Sequence, residues 1–157
     1  MLLEKELLEK SEVMFGFWSC QRPFTKHWGS GNQFWDRFVK NFGEPDIVFG
    51  KQDTIPKNII TVDNDKKVKP TYCLNWNKLP FKKNQFKFGY WDPPYDHLYK
   101  KETIEISRVC KKLAILHTYI YPTSWLGGGD FKRIGMIAIT FGPMKQIRIL
   151  QIFERKK

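Results

Sequence analysis

Cysteine and histidine are scarce in this chain, and neither is clustered. The three cysteines, Cys20, Cys73 and Cys110, are far apart and form no Cys-x-x-Cys pair. That excludes a disulfide framework and predicts reduced thiols in a cytoplasmic setting. His27, His97 and His117 are equally scattered, so no metal site is read from their spacing. No apolar run approaches the roughly 20 residues of a membrane span, and no membrane partner is expected. The N-terminal stretch Met1 to Lys10 is charged and lacks the apolar segment of a signal peptide. Acidic residues are the minority, 16 against 27 lysines and arginines, for a formal net charge of +11. A polyanionic partner, most simply nucleic acid, is the expected consequence.

What is present suits a packed fold. Hydrophobic residues make up 41% of the chain and aromatics 16%, a globular rather than a disordered composition. Residues 1–12 carry Leu2, Leu3, Leu7 and Leu8 at helical spacing and predict an amphipathic helix. Residues 13–157 predict one domain of ordinary size. Within it, Val13 to Cys20 reads as a buried strand and residues 21–31 as a loop. Phe34, Trp35, Phe38, Val39 and Phe42 predict a helix over Asn32 to Phe42, started by Asn32 and stopped by Gly43. Strands are predicted over 46–50, 58–63, 69–76 and 85–91. A helix follows over 100–112, closed by Lys111 and Lys112, then a strand over 113–121. Residues 122–133, with Gly127 to Gly129, read as a mobile loop. Two final strands, 134–141 and 146–155, are joined at hairpin length.

This order predicts an α/β fold: a Rossmann-like, mostly parallel sheet with helices on both faces and a C-terminal antiparallel hairpin. In such sheets ligands bind beyond the carboxyl ends of the strands. Asp63 and Asp92 both stand at predicted carboxyl ends, so one crevice would join them.

The tetrapeptide Asp92-Pro93-Pro94-Tyr95 follows the aromatic run 86–91. Two prolines fix φ near −65° and remove two backbone donors. A carboxylate, nearby carbonyls and a ring then form a polar platform suited to a flat substrate bearing an amino group. The plainer alternative is a turn after a strand. Asp63 likewise has two readings: a ligand-binding carboxylate, or one that caps the next turn. His117, inside an apolar strand, reads as a satisfied core residue.

With these residues placed, the chain resembles the class I S-adenosylmethionine-dependent methyltransferases, and within them the DNA adenine and cytosine amino-methyltransferases. Asp92-Pro93-Pro94-Tyr95 is similar to their catalytic motif. Asn75-Trp76-Asn77-Lys78-Leu79-Pro80-Phe81 looks like the stretch that precedes the motif's strand, and Val62-Asp63-Asn64-Asp65 resembles the acidic end of the second strand. The resemblance implies S-adenosylmethionine as cofactor. Asp63, Asn64, Asn75 and Trp76 would lie on the cofactor side. Asp92, Pro93, Pro94 and Tyr95 would be the catalytic residues. Two segments compete for the family's glycine loop. Gly29 and Gly31 precede the helix at 32–42, where backbone amides face an anion. Alternatively Ile47 to Gly50 is the first strand, although the distance to Asp63 is short for a strand-helix-strand crossover. The implied partner is nucleic acid, DNA before RNA. Specificity would come from loops, a homodimer or a separate specificity partner. The alternatives are an inactive nucleic-acid-binding relic of the fold, or methylation of RNA or protein.

Overall fold

The computed structural model describes residues 26–29, 32–50, 55–56, 58–94, 97–141 and 146–157. The readings for the helix at 1–12, the strand at 13–20, Gly31, Tyr95 and the hairpin turn at 142–145 lie outside these residues. The strands are β1 (Lys26–Gly29), β2 (Ile47–Phe49), β3 (Ile60–Asp63), β4 (Tyr72–Cys73), β5 (Phe86–Trp91), β6 (Cys110–His117), β7 (Phe131–Phe141) and β8 (Gln146–Arg155). The helices are α1 (Asn32–Phe42) and α2 (Lys100–Val109).

The strands form one sheet in the order β1-β7-β8-β6-β5-β2-β3-β4. All neighbouring pairs from β6 to β4 are parallel. β8 is antiparallel to both of its neighbours, β6 and β7. The predicted mostly parallel sheet with a terminal antiparallel hairpin is therefore the observed architecture.

Burial on both faces explains the apolar runs of the central strands. Ile47 and Phe49 join one core while Val48 joins the other, and Leu113 and Ile115 alternate with Ala114 and Leu116 in the same way. β8 is covered on both faces, with Arg148 to Phe153 all buried. On one face α1 lays Phe34, Trp35, Phe38 and Phe42 over the sheet. Its Phe38 ring stacks on Phe88 at 5.8 Å and meets Tyr90 at 5.1 Å. Gly43, at φ +89, ends the helix, and its N–H donates to the Val39 carbonyl at 2.9 Å. That is the left-handed termination expected of a glycine there. On the other face α2 buries Ile106 and Val109 among Phe49, Leu113 and Phe153.

Three local expectations are corrected. α2 ends at Val109, and Cys110, Lys111 and Lys112 open β6. The lysines mimic a basic helix terminus, but Lys112 lies over the Phe88 ring at 4.8 Å and burial lowers its pKa. The strand expected over 69–76 is only Tyr72–Cys73; Lys69 has φ +51 and breaks it upstream. Residues 122–130 are a packed connection rather than a mobile loop. Leu126 is buried, and the Gly127 N–H donates to Ser107 Oγ at 2.9 Å.

Candidate active site

The parallel strands deliver their carboxyl ends to one edge of the sheet. Across β6, β5, β2 and β3, adjacent in that order, that edge presents His117, Asp92, Gly50 and Asp63 in a row. Neighbouring strands stand about 4.8 Å apart, so the row spans the width of a small ligand. β2 lies between β5, which leads into Asp92, and β3, which ends at Asp63.

At the middle of the row, Asp92 is half-buried and Pro93 is buried. Gly50 has φ +100, and a Cβ there would stand 3.7 Å from the Asp92 carbonyl oxygen and 3.9 Å from the Trp76 ring. Those are ordinary contacts, so it is the positive φ that favours glycine here. The Gly50 N–H donates to the Val62 carbonyl at 2.8 Å. Trp76 Nε1 donates to the same carbonyl at 3.1 Å, which folds the indole back over β3. Its ring meets Trp91 edge-on at 5.9 Å.

On the β3 side, Asp63 Oδ1 accepts the Asp65 N–H at 2.9 Å, and the Asp63 carbonyl accepts the Leu74 N–H at 3.0 Å. The capping role of Asp63 is thus real for one oxygen, and it fixes the carboxylate at the strand end. Asn64 and Asn75 are both exposed, and the Asn64 carbonyl accepts from Cys73 Sγ at 3.6 Å.

On the β6 side the geometry adds a residue whose role the sequence did not disclose. His117 is buried. Its Nδ1 accepts the Tyr119 N–H at 3.0 Å, and a backbone N–H can only donate. A neutral ring therefore carries its proton on Nε2, which donates to the Pro94 carbonyl at 2.8 Å. His117 is a satisfied core residue, as expected, but what satisfies it is the motif. One lone pair of the Pro94 carbonyl is accordingly committed to the protein.

The stretch before β5 is held from outside the row. Arg108 NH2 donates to the Leu79 carbonyl at 3.0 Å and Arg108 NH1 to the Phe81 carbonyl at 2.8 Å. Glu105 Oε2 accepts the Leu79 N–H at 2.7 Å, and Glu105 pairs with Arg108 at 2.6 Å. The bond from Arg108, ahead of that from the Leu79 amide, holds the Glu105 carboxyl below its ordinary range. Leu79 and Phe81 are thus structural supports for the strand that carries Asp92.

Strand order sets the two candidate glycine segments far apart. β1 and β3 occupy the first and seventh positions, roughly 29 Å apart at about 4.8 Å per strand. Gly29, at the end of β1, is therefore not brought near Asp63. Gly50 takes the place at the first central strand. β2 and β3 are neighbours despite their closeness in sequence, pairing from Ile47↔Ile60 to Phe49↔Val62. Among the described residues none between β2 and β3 is helical.

No family model and no curated protein matches this chain. Solved structures do. A SAM-dependent methyltransferase from Aquifex aeolicus superposes with a TM-score of 0.52 at 13% identity, over 75% of this chain and 87% of the other. The 1,6-didemethyltoxoflavin-N1-methyltransferase of Burkholderia thailandensis, solved with S-adenosylhomocysteine, gives 0.51 at 8% identity, over 98% of this chain and 85% of that one. At these identities the likeness establishes the fold: the chain shares the Rossmann-like architecture of the class I methyltransferases.

Proposed function

We propose that this chain is an S-adenosylmethionine-dependent methyltransferase acting on the exocyclic amino group of a nucleic-acid base, with adenine in DNA the first candidate. The observation that carries this reading is the position of Asp92-Pro93-Pro94. It stands at the carboxyl end of β5, between Gly50 on β2 and His117 on β6.

The crevice residues fit the cofactor. Gly50 supplies a positive-φ turn at the end of β2, Asp63 presents a fixed carboxylate, and Trp76 supplies an aromatic wall. Asp63 would hold ribose hydroxyls, with Asn64, Asn75 and Trp76 around the nucleoside. The Burkholderia neighbour carries S-adenosylhomocysteine and is named an N1-methyltransferase, which supports both the cofactor and transfer to nitrogen. When bound, S-adenosylmethionine supplies an electrophilic methyl group.

The protein's task is then to position and polarise an amine. The lone pair of an exocyclic amine is delocalised into its ring. Acceptors placed on the amine hydrogens localise that pair on nitrogen. The Asp92 carboxylate and the Pro93 carbonyl are the acceptors, and preorganisation of this kind commonly supplies the largest part of catalysis. The Pro94 carbonyl accepts from His117, which fixes the turn that carries Asp92 and Pro93. Alignment of the amine with the methyl group supplies the rest. A base inside a duplex cannot reach this edge, so it must be flipped or single-stranded. The net charge of +11 supports a polyanionic substrate, and exposed Lys66, Lys67 and Lys69 follow Asp63 directly.

A second reading, an inactive nucleic-acid-binding relic, is favoured by one observation. Among the described residues no helix stands between β2 and β3, where an anion would meet backbone amides. Incubating the protein with methyl-labelled cofactor and separate pools of DNA, RNA and protein tests the proposal. Label in DNA is the expected result. Label only in RNA or protein would redirect the substrate assignment. No cofactor binding at millimolar concentration would leave the relic.

A further inference from the structure

Beyond the motif, the row of strand ends finishes on a rigid turn that displays two exposed apolar side chains. Tyr119 is 45% exposed and Ile120 49%. The backbone beneath them is held at every side. The Tyr119 N–H donates to His117 Nδ1 at 3.0 Å, and the Tyr119 carbonyl accepts Gln151 Nε2 at 2.8 Å. The Tyr121 N–H donates to Gln151 Oε1 at 3.0 Å, and the Tyr121 carbonyl accepts Arg133 NH2 at 2.6 Å. Gln151 is fully buried, so both ends of its amide are spent on shaping this turn. A turn fixed this firmly, with an aromatic and an aliphatic side chain turned outward, has the form of a recognition surface.

Its position says what it recognises. The Tyr119 ring lies 5.3 Å from the His117 ring, tilted by 31°, and His117 is bonded to Pro94. Tyr119 therefore adjoins the motif on the side opposite Gly50 and Asp63. Resting on the activity proposed above, we propose that Tyr119 and Ile120 form the ledge on which the target base lies. In this arrangement His117 is a positioning residue that keeps the ledge in register with the Asp92 motif. A flat heterocycle stacked there would present its edge to Asp92 while its other side faced the cofactor half. Stacking is insensitive to base identity, so the ledge holds the base and Asp92 selects the amine.

The test combines photocrosslinking with kinetics. A single-stranded deoxyoligonucleotide containing 8-azidoadenine is irradiated with the wild-type chain, Tyr119→Ala, Tyr119→Phe and Ile120→Ala, and the labelled peptide is identified by mass spectrometry. Circular dichroism checks that each variant is folded. The expected crosslink falls on the 117–121 peptide and is lost in Tyr119→Ala. With an unmodified oligonucleotide, Tyr119→Ala raises KM roughly 5- to 150-fold, the range that stacking of one base supports. The expected kcat changes far less, and Tyr119→Phe restores KM. A crosslink elsewhere, no crosslink, or an unchanged KM in both alanine variants would overturn the ledge and leave the methyltransferase reading standing. A crosslink on 117–121 without any methyl transfer to nucleic acid would keep the ledge and remove that reading.

Discussion

His117 Nε2 donates to the Pro94 carbonyl across 2.8 Å, joining the end of β6 to the turn that follows β5. The bond occupies one lone pair of that carbonyl and fixes the orientation of the turn. Substitution separates its two hydrogen bonds. His117→Asn can still accept the Tyr119 N–H, in the manner of an Asx turn, but is too short to reach Pro94. His117→Gln reaches Pro94 but gives up the Tyr119 bond. Pro94 is exposed, so losing this bond costs on the order of 1 kcal/mol, and His117→Asn should lower kcat about fivefold. Cofactor affinity, measured calorimetrically, should be unchanged. A kcat equal to wild type would make the bond structural only.

Gly50 is the glycine on which the crevice depends. At φ +100 a side chain carries strain of about 1–3 kcal/mol, and its Cβ would enter the crevice beside Trp76 and the Asp92 backbone. Gly50→Ala should weaken S-adenosylhomocysteine binding at least about tenfold, or ~1.4 kcal/mol. Gly29→Ala, at the far edge of the sheet, should leave it unaltered. Equal effects from the two substitutions would return the cofactor loop to the segment around Gly29.

Gly89 is required by packing instead. A Cβ there would stand 2.6 Å from Cys110 Sγ, inside a core where Cys110 is fully buried. Overpacking of this kind costs about 1–3 kcal/mol, so Gly89→Ala should lower Tm by roughly 2–12 °C. Adding Cys110→Ala removes the obstructing sulfur and should recover most of the loss. Strictly additive effects in that cycle would show that the two positions are not coupled.

Glu105 gives the fold an acid-side dependence. Its hydrogen bond to Arg108, then that to the Leu79 amide, depress its pKa below 4.5. A depressed carboxyl contributes stability that is complete above the unfolded value and is lost as pH falls through the folded value. Urea midpoints should therefore decline below about pH 4.5 more steeply in wild type than in Glu105→Gln. Parallel curves would show that the clamp on Leu79 is not linked to protonation.

Local periodicity disclosed much of the fold and nearly all of the row's members, but not their arrangement. Phe34, Trp35, Phe38 and Phe42 repeat at the helical period, and α1 has the bounds that pattern implies. Asp63 and Asp92 were legible because an acidic residue closing an apolar run marks a strand end. The position of β1 was not legible, because pairing with β7 joins segments far apart in sequence. That non-local pairing is what separates Gly29 from Asp63. His117 looked like core for a sound reason: its ring is buried. Its partner, Pro94, lies 23 residues away and leaves no local signature. The Cys110–Lys112 boundary was hidden because the Lys112 ammonium lies over the Phe88 ring, a contact that hydropathy does not register.

The central claim is that Asp92 orients a base amine for methylation. Its most direct test is nucleoside mass spectrometry of single-stranded DNA incubated with S-adenosylmethionine and either wild-type protein or Asp92→Ala. The account predicts N6-methyladenine with the wild type and a loss of at least about 10²–10³ in rate with Asp92→Ala, at unchanged cofactor affinity. Full activity in Asp92→Ala would contradict it.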